Sequence, residues 1–427
     1  MTFFNDFLSL HHREFARPVI RLLPRKIYFC TMVRLHRNLV EAVFAVIRAV
    51  WEERTHADKA IENMLKSNPR WGARDRAFIA ETSYEIIRYY RLLAHMAGES
   101  LDYWKIIAAY FVSRKIPLPA WDHFAGIPVE IYQNRWFEAK EDLGICESYP
   151  EEWIAWMQKD FPDTYADELK ALNEPAKLVL RTNLLKTNKD RLLNELKKQG
   201  HNCHALTDVP DALVADQKWN VFQDPLFTAG YFEIQDASSQ RVSEFMELKP
   251  GMRVIDACAG AGGKTLHIAA KLMNQGRIIA MDVEAWKLDN LKKRAKRAGA
   301  HCIETRLIEN NKIIKRQAET CDRLLLDVPC SGTGVIRRNP DAKWKVDQQY
   351  VDRMVQLQQK ILQQYSKMVK PGGKLIYSTC SILSLENSKQ IAYFCAEHPD
   401  FRLEKDLLIR PCTSGFDGFY MARLVKT

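Results

Sequence analysis

From Ala237 to the end of the chain, apolar runs of strand length alternate with amphipathic runs of helix length. "SQRVSEFMEL" reads as a helix, "RVIDA" as a strand, "KTLHIAAKLM" as a helix, "RIIAMDV" as a strand and "AWKLDNLKKRAKRAG" as a helix. "RLLLDVP" and "GKLIYSTC" are strands on either side of the helix "DRMVQLQQKILQQYSKMV". A further helix, "LENSKQIAYFCAEH", and a last strand, "FYMARLVK", complete the series. This alternation predicts an α/β fold, a parallel, doubly wound sheet with helices on both faces. Ligands of such sheets bind beyond the carboxyl ends of the strands. The residues just after each apolar run are therefore the ones to weigh for function.

The preceding sequence has a different character. The length of 427 residues suits two or three domains. From about His36 to Glu147 apolar residues recur at three- and four-residue spacing, and Pro69 and Gly72 divide the pattern into separate helices. "YPEEWIAWMQKDFP" is another short helix, with Pro150 suited to its start. "KLVLRTN" is strand-like, "KDRLLNELKKQG" is an amphipathic helix stopped by glycine, and more strand-like segments follow up to "YFEIQD". The expected organisation is an N-terminal arm over residues 1–35, a helical domain over 36–165, a small α/β module over 166–235 and the doubly wound domain over 236–427. The arm is basic and weakly patterned and lacks a secretory pattern; Met32 within it is an in-frame alternative start.

Composition narrows the partners. No run of about 18 uncharged apolar residues occurs, so no membrane span is expected. The ten cysteines form no CxxC pair, which argues against a zinc site and leaves no metal expected. A cytoplasmic location, with the thiols reduced, is expected. The net charge of +10 favours a polyanionic partner such as nucleic acid.

The loop after the first strand of the series reads "DACAGAGGKT". A phosphate-binding loop of the G-x-x-x-x-G-K-[ST] type requires a glycine where this chain has Cys258. The dinucleotide pattern G-x-G-x-x-G fails as well, because Thr265 stands at its last glycine. The general device survives: glycines let a ligand approach the backbone, and Asp282, at the end of the next strand, is placed to bind a ribose hydroxyl pair. A ligand with a ribose and no phosphate suits such a loop, and S-adenosyl-L-methionine is one.

Two cysteines follow two later strands: Cys330 in "LLLDVPCSGTG", together with Asp327, and Cys380 in "LIYSTCS". Both are expected on the rim that carries the glycine loop, although a lone cysteine is ordinarily a small core residue. A methyl transfer to carbon 5 of cytosine calls for this set. That carbon is a poor nucleophile until a thiolate adds to carbon 6. A carboxyl group at N3 and the amino group helps place the proton that addition requires. The base must leave its stack to reach such a pocket.

On "DACAGAGGKT", "LLLDVPCSGTGVIRRNPD", "YSTCS", "QDASSQ" and "DGFYMARL", in that chemistry and at those distances, the chain resembles the Sun/RsmB/NOP family of RNA (cytosine-5) methyltransferases, of the bacterial 16S rRNA type. The resemblance implies a class I, Rossmann-like methyltransferase domain and a NusB-like RNA-binding helical domain. It implies Cys380 as the nucleophile, Cys330 in release of the product from the covalent adduct, and Asp327 at the target cytosine and near the cofactor. Cys258, Ala259, Gly260, Ala261, Gly262, Gly263 and Lys264 would wrap the methionine part of the cofactor, and Asp282 its ribose. The family has an aspartate near the adenine after the third strand. Here the region reads "CIETRLIENN", with Glu309 the acidic candidate and Glu304 its competitor. The implied activity is methylation of a cytosine in RNA, 16S rRNA above all; a non-catalytic RNA-binding assembly factor on the same fold, and an NTPase, are the rivals. Arg337 and Arg338, after the Cys330 loop, are expected at RNA phosphates. Trp344 is expected in the core, and the basic stripe from Lys287 to Arg297 on a solvated outer face.

Overall fold

The computed structural model describes residues Leu35–Thr427. The expected N-terminal arm, apart from its last residue, lies outside the described residues.

The helical region forms as the spacing predicts. Helix Arg37–Trp51 turns Leu39, Val40, Val43, Val46, Ile47 and Val50 inward, a stripe at three- and four-residue intervals. The next helix stops at Ser67, and Gly72 precedes helix Ala73–Arg88, with its N–H held by Asp75 Oδ2 at 3.1 Å. Helix Tyr103–Ser113 is buried on every side from Ile106 to Val112, which places it at the centre of the bundle. Helix Glu151–Asp160 begins directly after Pro150.

A small antiparallel sheet follows, made of β1 (Val179–Thr182), β2 (Cys203–Ala205), β3 (Ala212–Ala215) and β4 (Phe232–Ile234) in the order β2-β3-β1-β4. Helix Lys189–Lys198 covers it through the buried Leu192 and Leu196, which share a core with Leu180, Leu213 and Phe232.

The large sheet contains β5 (Arg253–Asp256), β6 (Arg277–Asp282), β7 (Ile303–Leu307), β8 (Cys321–Asp327), β9 (Val369–Thr379), β10 (Phe401–Ile409) and β11 (Phe419–Lys426). Their order is β10-β11-β9-β8-β5-β6-β7. Alternate residues feed two separate cores. Ile255, Ile279, Leu324, Leu326 and Tyr377 meet helices Gln348–Tyr365 and Ser388–Glu397 on one face. Val254, Ile278, Ala280, Leu325 and Ile376 meet helices Ala237–Phe245, Gly263–Lys271 and Ala285–Ala298 on the other.

Two features depart from a wholly parallel reading. β11 runs antiparallel to both neighbours, β9 and β10. The loop over residues 410–418 turns straight back from β10, with no crossover helix to preserve strand direction. β10, absent from the expected series, has its apolar residues at Phe401, at the exposed Leu403 and at its end, Leu407 to Ile409: Arg402 to Asp406 are exposed, and charge along an edge strand opposes further pairing.

The segment after Cys330 joins the helical region to the large sheet. Arg337 is 4% exposed and donates to Ala171 O at 2.8 Å and Gly415 O at 2.9 Å. Arg338 donates to Asp417 Oδ2 at 2.6 Å and Asp236 Oδ2 at 2.9 Å. The Arg337 guanidinium is thus engaged inside the protein, which corrects the expectation that it faces an RNA phosphate, whereas Arg338 is ion-paired but a third exposed. Trp344 packs near Trp51 and Tyr90 and donates to Ile87 O at 2.8 Å. Lys343, 1% exposed, donates to Arg88 O, Glu147 O, Ser148 O and Asn173 Oδ1 at 3.1, 3.2, 3.1 and 2.6 Å. It caps the carboxyl ends of two helices at once, Ala73–Arg88 and Leu143–Cys146.

Candidate active site

The carboxyl ends of β5, β6, β8 and β9 form one rim. At β5, Asp256 Oδ2 accepts from Thr265 Oγ1 at 2.7 Å, so the end of the strand is tied to the helix that follows. The chain between them makes a tight turn. Ala259 N donates to Met281 O, and Gly262 N to Ala259 O, both at 2.9 Å. Gly262 has φ +86°, and a Cβ there would lie 2.6 Å from Leu291 Cγ, so the turn has room only for glycine. At Gly260 and Gly263 a Cβ would meet nothing within 4 Å, which leaves open space before the backbone.

Other parts of the chain hold this loop from behind. Arg294 Nη1 donates to Ala261 O at 2.8 Å, and Arg181 of β1 reaches Gly263 O. Arg294 and Arg297 also clamp Glu233 of β4. The basic helix is therefore only partly a solvated face: Lys292, Lys293 and Lys296 are exposed, whereas its two arginines join the small module to the glycine loop.

Asp282, at the end of β6, accepts from Gly260 N at 2.8 Å and Glu284 N at 2.9 Å, one bond to each oxygen. Each carboxylate oxygen keeps a further lone pair for a hydroxyl. Glu304 pairs with Ile279, back from the rim, and is bound to Arg277 at 2.5 Å and Arg306 at 2.6 Å. Glu309 stands exposed beyond the end of β7, where Leu307 pairs with Asp282. Of the two acids, only Glu309 is at the rim. Open glycine backbone on one side and a ribose-competent carboxylate on the other fit S-adenosylmethionine.

Asp327 ends β8. Its Oδ2 accepts from Lys264 Nζ at 2.6 Å and its Oδ1 from Ser378 Oγ at 2.9 Å. Lys264 thus ties the glycine-loop helix to β8, and Ser378 ties β8 to β9. Burial pushes the Asp256 carboxyl up to about 7, with Asp327 adding to the shift. Burial also pushes the Cys258 thiol well up, beside Asp256, Asp327 and Asp282, so this cysteine stays neutral.

Cys330 and Cys380 come together: their sulfurs are 3.3 Å apart. The hydrogen bond to Cys380, then burial, holds the Cys330 thiol well above its usual range, and either sulfur can be the donor in that contact. The loops are pressed close. Gly334 N donates to Cys380 O at 2.9 Å, and a Cβ on Gly334 would overlap Gly418 O and lie 2.8 Å from Cys380 O.

Ser378, Asp256 and Arg181 were not singled out in the sequence. Asp256 and Ser378 sit inside motifs that were read for their neighbours, and Arg181 lies in a strand of another module. Among the described residues, Asp211, Glu244 and His267 have metal-ligand proximity, but Lys271 already supplies the cation there, 2.6 Å from Asp211.

A seven-stranded sheet with one reversed strand, a glycine turn after β5 and an acid at the end of β6 fit a Rossmann-like, S-adenosylmethionine-dependent methyltransferase. A family model described as 16S rRNA methyltransferase RsmB/F matches residues 243–425, and one described as the ferredoxin-like domain of RsmF/B-like methyltransferases matches residues 149–222. The chain belongs to the RsmB/F family of rRNA methyltransferases. Ribosomal RNA small subunit methyltransferase B of Photorhabdus laumondii subsp. laumondii is 33% identical over 69% of this chain and 70% of its own. The probable ribosomal RNA small subunit methyltransferase B of Synechocystis sp. is 29% identical over 90% of this chain and 99% of its own. The crystal structure of PH0851 is 25% identical and superposes with a TM-score of 0.78, covering 93% of this chain and 100% of that one. NSun6 from Pyrococcus horikoshii with SFG shares the fold, with a TM-score of 0.60 at 21% identity over 66% of this chain and 99% of that one. No described helix is long and apolar enough to cross a membrane.

Proposed function

We propose that this methyltransferase transfers a methyl group to carbon 5 of a cytosine in 16S rRNA through a covalent Cys380–cytosine intermediate. The observation that carries the reading is the pair of sulfurs, 3.3 Å apart, on the rim that also bears Asp327 and the glycine turn. The cofactor supplies an electrophilic sulfonium methyl. Cys258 through Lys264 would line its methionine part, Asp282 would take its ribose and Glu309 would be the acid for its adenine.

Cys380 attacks carbon 6 as a thiolate. The sulfur–carbon bond forms, the carbon 5–carbon 6 π pair shifts to carbon 5, and that carbon takes the methyl as the sulfonium bond breaks. Asp327 holds N3 and the amino group, with Lys264 and Ser378 fixing its two oxygens. Water takes the proton on carbon 5, the C–H electron pair restores the carbon 5–carbon 6 double bond, and the carbon 6–sulfur bond breaks to release Cys380 as a thiolate. Cys330, its sulfur 3.3 Å from that of Cys380, stands where it can aid that expulsion.

We assign the grip on RNA to the helical region over 36–165 and the small module over 166–235, through backbone and shape. Reduced thiols suit a cytoplasmic setting. Bisulfite sequencing of total RNA from cells with and without the gene tests substrate and position together: one cytosine loses its protection. In vitro, Cys380→Ala abolishes methyl transfer and Cys330→Ala accumulates a protein–RNA adduct. Turnover by Cys380→Ala, with a dead and adduct-free Cys330→Ala, would reverse the two roles. RNA binding without any methyl transfer would favour the assembly-factor reading.

A further inference from the structure

Two consecutive residues beyond Cys380 each hold one of the cysteine-bearing loops. Glu386 and Asn387 close the turn Ser384–Glu386 and are 0% and 2% exposed. Glu386 faces the Cys330 loop. Its Oε1 accepts from Ser331 N at 2.8 Å and from Gln358 Nε2 at 3.0 Å, and its Oε2 accepts from the Ser331 hydroxyl. Gln358 Nε2 also donates to Pro329 O at 2.9 Å, and Gln390 Nε2 donates to Gln358 Oε1 at 3.1 Å. The residues on both sides of Cys330 are thus tied to one buried carboxylate and the amide beside it.

Asn387 faces the other loop. Its Oδ1 accepts from Thr379 Oγ1 at 2.6 Å, and its Nδ2 donates to Ser381 O at 2.9 Å. These are the residues on both sides of Cys380. The two halves meet where Thr333 Oγ1 and Ser381 Oγ are 2.9 Å apart. A connected polar network in a low-dielectric interior favours one geometry, because a shift of Glu386 or Asn387 leaves their buried partners unpaired.

We propose that Glu386 and Asn387 are positioning residues, Glu386 setting Cys330 for release and Asn387 setting Cys380 for attack. Together they fix the separation of two sulfurs that lie on different strand ends. The proposal rests on the roles assigned to the two cysteines above. It predicts that neighbouring substitutions stall opposite halves of one reaction.

The test uses the full chain, S-adenosylmethionine and rRNA from cells lacking the gene. Single-turnover methyl transfer and the denaturant-resistant adduct are measured side by side, with cofactor affinity and melting temperature as controls. Glu386→Ala should raise the adduct fraction about tenfold, the size of one lost bond to a charged group, with the first methyl transfer preserved. Asn387→Ala should slow the first transfer about tenfold without accumulating adduct. Glu386→Gln can keep the Oε1 acceptor and donate to the Ser331 hydroxyl, so it should restore normal release. Loss of the same step by the same factor in both alanine variants overturns the proposal, as does release by Glu386→Ala at the wild-type rate. Should Glu386→Ala fail to fold, Ser331→Ala, which deletes only the hydroxyl bond, must raise the adduct in the same direction or the proposal falls. If the wild-type chain makes no 5-methylcytosine and Cys380→Ala matches it, the reaction assignment itself has failed, and the proposal with it.

Discussion

Replacing Lys343 with Met should uncouple the helical region from the large sheet. The substitution roughly conserves volume, so the loss falls on the ammonium. Three protons serve four acceptors, at 2.6 to 3.2 Å, and the lysine is 1% exposed. Removing three bonds at about 1 kcal/mol each, with the carbonyls left shielded from water, gives about 3 to 4 kcal/mol. Relief from burying the charge offsets part of this, and a net loss of about 3 kcal/mol is expected. For a chain of this size that is about 3 °C in melting temperature. The loss should also depend on pH. Burial, with Arg88 beside it, holds the Lys343 amine well below its usual 10.5. The unfolded chain therefore binds the proton more readily, and this group's contribution grows as pH rises from the folded value toward 10.5. Thermal melts of wild type and Lys343→Met between pH 7 and about 10 should diverge, because only the wild type carries that slope. Scanning calorimetry of the variant should split the transition as the two parts lose their common cap. Coincident melts within about 1 °C at every pH would refute the reasoning, since they would mean that the four acceptors are satisfied without the lysine.

Three further outcomes follow from the rim. Asp256 is held up at about 7 against a usual 3.8, so its contribution to stability is complete below pH 3.8 and is lost as pH rises through about 7. The urea midpoint of Asp256→Asn relative to wild type should therefore increase from pH 4 to pH 8, and a constant difference would contradict it. Gly262→Ala, with φ +86° and a Cβ 2.6 Å from Leu291 Cγ, should cost about 2 kcal/mol or more and weaken cofactor binding in calorimetric titration. Lys264→Met frees Asp327 Oδ2 while Ser378 keeps Oδ1, so kcat should fall about tenfold with little change in KM for RNA; an RNA-binding defect at unchanged kcat would move Lys264 out of the reacting centre.

Much of the site was legible because its devices are local. A glycine turn with φ +86° at Gly262 needs that residue type whatever surrounds it. Cys330, Cys380, Asp327 and Asp282 stand just past apolar runs, and the carboxyl ends of such runs share a rim. Glu386 was invisible for the opposite reason. In "LSLENSKQ" it looks like an ordinary solvated acid, and only the packing of three segments makes it a buried acceptor of Ser331 and Gln358. Arg337 misled in the same way, since a guanidinium reads alike in sequence whether it meets a phosphate or Gly415 O.

The amino-acid order by itself determined the helices and strands of the series apart from β10, the double core and the glycine turn after β5. Each of these follows from side-chain period and backbone freedom within a few residues. Only the tertiary structure decided that β11 runs backwards, that Lys343 caps two helices far away in the chain, and that two sulfurs stand 3.3 Å apart. Polar groups and edge strands accept many partners of equal chemistry, and which one they meet is settled only when distant segments have packed.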